Sequence, residues 1–279
     1  TLGGREIHPI NVKVGGFYSL PENRLFKELE DELKWAKEAT YRLLEWVSGF
    51  NFPELAIDYE FVSLENTHEY PFNEGRIHSN KNLDIDVCDF EKHFQEQHVE
   101  HSTALQSVRV GRGSYLTGPM ARFSKHFDLL SKDTQQAALE FNVDRKCVNP
   151  YRSIQIRALE VMYSLDEALR IIGNYTDSLA PSVEVKPGVG TGYAATEAPR
   201  GTLYHKFEIN RDGTIKTAKI IPPTSQNQKR IEDDLRRVVT ENIALPEAQL
   251  TRLCEQTIRN YDPCISCATH FLKMTLERT

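Results

Sequence analysis

An apolar stripe that begins after Pro21 constrains the fold of this chain most strongly. Leu25, Leu29, Leu33, Ala36, Thr40, Leu43 and Val47 recur at spacings of three and four residues, with Glu and Lys filling the opposite side. That is the period of an α-helix with one buried face, and Gly49 supplies a stop. A second stripe of Ile154, Arg157, Val161, Leu165, Ala168, Leu169 and Ile172 predicts another helix from Ser153 to about Tyr175, entered from Asn149-Pro150. No apolar run approaches the roughly 20 residues that a membrane-spanning helix needs. Both stripes therefore call for a protein core, and no membrane association is expected.

Other segments carry weaker patterns. Ile57–Leu64 is β-like, and Tyr70-Pro71-Phe72-Asn73-Glu74-Gly75 reads as a turn. Phe90 to about Leu105 is expected to form a helix bearing His93, His98 and His101, Val110–Gly118 a glycine-punctuated loop, and residues 181–200 a long irregular loop. Leu203–Ile209 and Ile215–Ile221 flank Asn210-Arg211-Asp212-Gly213, a hairpin signature because Gly readily takes positive φ. Two helices, at about 229–243 and 247–260, complete the chain. The expected fold class is α+β, a mostly helical bundle with a small antiparallel β-sheet, organised as one region over 1–279.

Composition narrows the function. With 39% hydrophobic and 27% charged residues, the chain suits a soluble globular core. A formal charge of −6 without a basic stripe gives no reason to expect nucleic-acid binding. Five cysteines, Cys88, Cys147, Cys254, Cys264 and Cys267, form an odd number without framework spacing, which argues for a reducing, cytoplasmic setting. The chain opens on Thr1-Leu2-Gly3-Gly4, which reads as the start of a fragment or a processed product.

The sharpest chemical signal is Cys264-x-x-Cys267-x-x-His270, preceded by Asp262-Pro263. Two thiolates three residues apart can reach one metal ion around a tight turn, and sulfur favours zinc, nickel, iron or copper(I). A structural zinc site normally needs four protein ligands. Cys264, Cys267 and His270, with Cys254 as a fourth, would make such a module. A redox dithiol or unremarkable thiols remain open on spacing alone. Glu197-Ala198-Pro199-Arg200-Gly201 reads either as a turn with a solvated Arg or as a guanidinium aimed at an anionic ligand. Pro222-Pro223-Thr224-Ser225-Gln226-Asn227-Gln228 reads as a polar loop capping the next helix or as a hydrogen-bonding shell. No HExxH arrangement accompanies the helical histidines, and no phosphate loop or dinucleotide fingerprint is present.

In their order, these blocks resemble the large subunit of nickel–iron hydrogenases. The resemblance rests on His8-Pro9-Ile10-Asn11 with Gly15-Gly16, Tyr115 to Arg122, and Asn149-Pro150-Tyr151-Arg152-Ser153-Ile154, and then on the Pro-Arg-Gly, Pro-Thr-Ser and terminal cysteine blocks. The wording at Tyr70–Gly75, Thr224–Gln228 and Cys264–His270 is most similar to the soluble NAD(P)-linked, or sulfhydrogenase, branch. The segment Ala121–His126 departs from the family's usual wording.

The resemblance implies reversible heterolytic cleavage of dihydrogen at a Ni-Fe(CN)2(CO) centre held by two CxxC pairs. Cys264 would be a terminal nickel ligand and proton acceptor, and Cys267 a nickel–iron bridge. Arg200 would stand over the centre, while Pro199, Pro223 and Thr224 would line the pocket of the iron's diatomic ligands. His270 would ligate a magnesium or iron ion near the C-terminus, and residues 271–279 would be a cleavable extension. Implied partners are an iron–sulfur small subunit, diaphorase-type subunits, a maturation protease and nickel-insertion factors. The N-terminal CxxC pair and its upstream acidic residue have no counterpart here, so the chain is expected to be inactive in isolation.

Overall fold

The computed structural model describes residues 2–5, 8–176, 180–264, 272, 274 and 275. Both long stripes become helices, α1 (Asn23–Ser48) and α5 (Ser153–Gly173), and they pack along one another. α1 keeps Thr40 and Val47 of the expected stripe on its buried face, whereas the face that α5 buries is displaced from the expected one. On α1 the buried residues are Phe26, Thr40, Leu44 and Val47, whereas Leu25 and Leu43 are exposed. On α5 the buried face carries Ile156, Leu159, Met162 and Tyr163 and leaves Val161 exposed. Both helices have apolar residues on adjoining faces, so the period sets the helix while packing selects the face.

β1 (Val12–Lys13) and β2 (Gly16–Phe17), which form a two-stranded pair, precede α1, and β3 (Phe61–Glu65), β4 (Arg76–Ser79) and β5 (Leu83–Ile85) follow it. A one-turn helix α2 (Phe90–His93) leads into β6 (Phe94–Val99) and β7 (Ser102–Arg109). β8 (Leu116–Thr117) pairs with β3 in parallel and completes a four-stranded sheet of order β5-β4-β3-β8. Helices α3 (Pro119–His126) and α4 (Lys132–Glu140) precede α5. After it come β9 (Gly190–Ala198), β10 (Gly201–Ile209) and β11 (Ile215–Ile221), an antiparallel meander, and then α6 (Pro223–Asn242) and α7 (Glu247–Arg259).

The α+β class stands, with more strand than the expected single small sheet. The helix expected over 90–105 ends after one turn. Phe90 stacks on Phe94 with ring centroids 4.5 Å apart and on Tyr204 at 4.4 Å, and beyond Phe94 the chain runs extended into the β6–β7 hairpin. Phe90 and Phe94 mimic a helical i, i+4 pair, but cross-strand pairing overrides that local signal. The three histidines are thereby dispersed, and His101 meets Glu232 at 2.9 Å. Half of the expected loop over 181–200 is β9, whose glycine-rich backbone pairs with β10 over nine residues. It lacks an apolar alternation because most of its residues are exposed.

Two cores result. One joins α1, α3 and α5 through Leu44, Val47, Phe123, Ile156 and Leu159. The other joins the sheets through Leu64, Ile77, Phe90, Phe94, Tyr115 and Tyr204.

Candidate metal site

The Ala198-Pro199-Arg200-Gly201 turn joins β9 to β10 and crosses the β8–α3 turn at backbone contact distance. At Gly118, with φ of +113°, an added Cβ would lie 2.7 Å from the Arg200 carbonyl oxygen. At Gly201, with φ of +135°, it would lie 2.6 Å from the Thr117 side chain. Glycine is required at both positions, by backbone conformation and by space. Thr117 Oγ1 lies 2.8 Å from Thr202 Oγ1 and accepts the Thr202 N–H at 2.9 Å, which locks the crossing.

A buried guanidinium fixes the same turn from below. Arg122, on α3, has no solvent exposure. It donates to both carboxylate oxygens of Glu160 at 2.8 and 2.6 Å and to Glu197 Oε2 at 2.8 Å. It also donates to the carbonyls of Ala198 and Pro199 at 3.0 and 3.1 Å. Burial opposes its charge, but the carboxylates of Glu160 and Glu197 outweigh that and hold the group above its ordinary range. Burial pushes the Glu197 carboxyl upward, with Arg122 opposing. Tyr70 Oη donates to Glu160 at 2.6 Å, and Thr202 Oγ1 and the Leu64 N–H each donate to Glu197 at 2.8 Å, so the buried carboxylates are well supplied with donors.

The polar run after Pro222 is not a loop. Helix α6 begins at Pro223, where the missing N–H is no loss in a first turn, and Thr224, Ser225, Gln226 and Asn227 are all buried. Asn227 clasps Thr117, accepting its N–H at 2.8 Å and donating to its carbonyl at 3.1 Å, and also reaches the Arg200 carbonyl at 3.3 Å. Gln226 donates to the Thr202 carbonyl at 2.5 Å. The run acts as a hydrogen-bonding shell around the Pro-Arg-Gly turn.

The segment after α7 brings Cys264 to the start of α6. Its N–H donates to Thr224 Oγ1 at 3.5 Å. Arg200 Nε donates to the Asp262 carbonyl at 2.5 Å and lies 3.3 Å from the Asp262 carboxylate, whose other oxygen is 3.7 Å from Arg157. Burial pulls the Arg157 guanidinium below its usual range; Asp262 opposes the shift and Arg200 adds to it. A small cavity of about 20 Å³ lies between these elements, lined by Thr117, Met120, Arg157, Arg200, Asn227 and Asp262 among others. On the far side of Arg157 and Asp262, an open cleft of about 600 Å³ runs past Phe72, Arg122, Glu160 and Pro199.

The structure thus gathers Pro199, Arg200, Pro223, Thr224 and Cys264. Cys267 and His270 lie outside the described residues, as does most of the expected extension at 271–279. Cys254 is buried in α7, where burial raises its thiol pKa. Among the described residues no three His, Cys, Asp or Glu side chains gather to hold a metal ion. The donor set still suits a soft or borderline metal. The nearby carboxylate, Asp262, is engaged by two arginines, while Cys264, whose N–H meets the Thr224 hydroxyl, carries a soft sulfur donor. Sequence reasoning missed Glu160 and Arg157 as parts of this frame. Arg122 and Glu197 stood inside matching blocks, but nothing local showed that they pair.

Comparison with known proteins places this fold among hydrogenase large subunits. The family model described as nickel-dependent hydrogenase matches residues 131–270, half of the chain. The chain belongs to that family. Sulfhydrogenase 1 subunit alpha of Pyrococcus furiosus is 29% identical over 279 residues, covering 98% of this chain and 64% of the relative. NAD-reducing hydrogenase HoxS subunit beta of Cupriavidus necator is 27% identical over 203 residues, covering 68% of this chain and 41% of the relative. The structure of an NAD+-reducing NiFe-hydrogenase in the H2-reduced state shares the fold, with a TM-score of 0.80 at 20% identity over 96% of this chain and 64% of that one. The chain therefore spans about 64% of the length of the relatives it matches over nearly all of itself.

Proposed function

We propose that this chain carries the C-terminal half of a nickel–iron site for reversible dihydrogen cleavage, and that it works within a complete hydrogenase. The observation that carries this reading is the convergence of Cys264, Thr224 and Arg200, from three separate elements, in a chain that belongs to the nickel-dependent hydrogenases. Cys264 and Cys267 would hold the metal pair, and His270 a magnesium or iron ion near the terminus. When bound, the bimetallic centre supplies the Lewis acidity that splits dihydrogen heterolytically.

The chain's own residues do the rest. The Cys264 sulfur takes a proton from the cleaved molecule. Thr224 Oγ1 accepts the Cys264 N–H, so its own proton would be available for a ligand of the bound metal centre. Arg200 is held on one side through Asp262 and on the other by the Arg122-clamped turn, so its charge stays over the site. Pro199 and Pro223 would bring surfaces without N–H groups to the pocket of the iron's diatomic ligands. Each dihydrogen gives two protons and two electrons. The electrons would leave through an iron–sulfur small subunit and then diaphorase-type subunits to NAD(P) or sulfur, in the cytoplasm. Maturation would need a nickel-insertion factor and a protease acting after His270.

The test is hydrogen-dependent viologen reduction by the native complex that contains this chain, combined with metal analysis and infrared spectroscopy. Expected results are nickel and iron, carbonyl and cyanide bands, and loss of turnover in Cys264→Ser. Stoichiometric zinc without those bands would overturn the proposal in favour of a structural module. The isolated 279-residue chain should reduce no viologen under hydrogen.

A further inference from the structure

A buried carboxylate on α6 holds the segment that carries Cys264 through Tyr261, a residue that lines the small cavity beside Arg200. Asp234, on α6, has no solvent exposure, and its carboxylate faces the hydroxyls of Tyr59 and Tyr261. Tyr59 Oη lies 2.8 Å from Asp234 Oδ2 and 3.0 Å from Tyr261 Oη. Tyr261 donates to the same Oδ2, while Arg230, one helical turn before Asp234, pairs with Oδ1. Burial and the neighbouring carboxylate push both phenols far above their ordinary range, so they remain donors at every working pH.

Tyr261 closes the chain after α7, three residues before Cys264. A phenylalanine there would bury just as well, so the hydroxyl serves location rather than hydrophobic packing. Several other attachments of this segment are longer or less buried. The Cys264 N–H to Thr224 Oγ1 contact is at the long limit for a hydrogen bond. Ser153 Oγ to the Asn260 carbonyl and Arg200 Nε to the Asp262 carbonyl are only part-buried, so water competes for both. Asp262 itself has φ of +48°, a left-handed conformation that persists where the surroundings enforce it. Pro263 fixes the backbone on one side of it, and Tyr261 is the fully donating anchor on the other.

We infer that Asp234 is a positioning residue for Cys264, acting through the Tyr261 hydroxyl. It lies on the same helix as Thr224, so one rigid element sets both the hydroxyl beside the cysteine and the anchor that delivers the cysteine to it. The purpose of this arrangement rests on the reading of Cys264 as a metal-site thiolate; the geometry does not.

The experiment is hydrogen–deuterium exchange with residue resolution, together with neutral-maleimide labelling of Cys264, on the full metal-free chain. Tyr261→Phe is expected to speed exchange of the Cys264 amide and labelling of its thiol by about tenfold, the loss of one buried hydrogen bond. Exchange in α5 and β10, and labelling of Cys147, should stay at wild-type rates. Tyr59→Phe removes a hydroxyl from the same carboxylate but leaves Tyr261 attached, and should leave Cys264 unchanged. Unaltered Cys264 rates in Tyr261→Phe would overturn the inference. So would equal acceleration at Cys147 and α5, or equal acceleration by Tyr59→Phe, since either would mark a general contribution to stability. No metal enters the assay, so its outcome is independent of whether the complete protein loads nickel.

Discussion

Arg122 and Pro199 are joined by a 3.1 Å hydrogen bond from a fully buried guanidinium to the carbonyl of the residue before Arg200. Arg122 therefore sets the height of the turn that presents Arg200, although it lies on α3 and does not line the small cavity beside Arg200. Its charge is balanced by Glu160 and Glu197, both buried, so the cluster works only as a unit.

Replacing that charge should be severe. Arg122→Met leaves two carboxylates facing each other without a cation, and stability should fall by about 3–5 kcal/mol. Arg122→Lys keeps the charge but not the fork, and should cost less. Urea unfolding of the three proteins checks the order; an Arg122→Met variant as stable as wild type would refute the clamp.

Gly118→Ala tests the crossing of the two turns. The new Cβ would meet the Arg200 carbonyl oxygen at 2.7 Å, at a φ that L-residues rarely adopt. A loss of about 3 kcal/mol is expected. Gly111→Ala is the control: it also has positive φ but open space around it, and should cost only about 1 kcal/mol. Thermal unfolding of the pair separates backbone strain from collision.

Acid should destabilise the fold through His126. The ring is buried, and its Nε2 lies 2.9 Å from the Leu64 carbonyl. Burial lowers its pKa to about 4, from an ordinary 6.5. Between those values the unfolded chain binds a proton that the folded chain does not. The stabilisation is complete above pH 6.5 and is lost as pH falls through 4, up to about 3 kcal/mol. His126→Gln keeps an N–H donor and should flatten this part of the stability profile; an unchanged slope between the two proteins would show that the ring titrates normally.

Asp262→Asn separates positioning from stability. The carboxylate is 44% exposed and pairs with two arginines across solvent-accessible space, so its loss should change stability by no more than about 1 kcal/mol. Arg200 would keep its bond to the backbone carbonyl but lose its ionic partner. In the complete enzyme, turnover should fall on the order of tenfold without a matching change in melting temperature. A proportional loss of both would make Asp262 a folding residue.

The residues show where local pattern suffices. The period of α1 and α5, the hairpin at Asn210–Gly213 and the order of the Pro-Arg-Gly, Pro-Thr-Ser and cysteine blocks were legible because each depends on near neighbours. The helix expected over 90–105 failed because Phe90 and Phe94 satisfy the helical spacing, while Tyr204 and Tyr115, far along the chain, decide where their rings go. Strand β9 was hidden for a related reason. Its glycines carry no apolar signal, and its pairing energy comes from the backbone of β10.

By itself, the sequence determined which residues can do chemistry here: a thiol after Asp262-Pro263, a guanidinium in a glycine-bounded turn, and a hydroxyl at a proline-started helix. Only the tertiary structure decided that they meet. Gly118 and Gly201 permit the backbone crossing, Arg122 fixes its height, and Asp234 with Tyr261 delivers the cysteine segment to Thr224. The physical reason is range. Propensity and spacing act over one or two turns of chain, whereas a buried charge or hydroxyl acquires its partner from sequence-distant elements, and no local pattern encodes that partner.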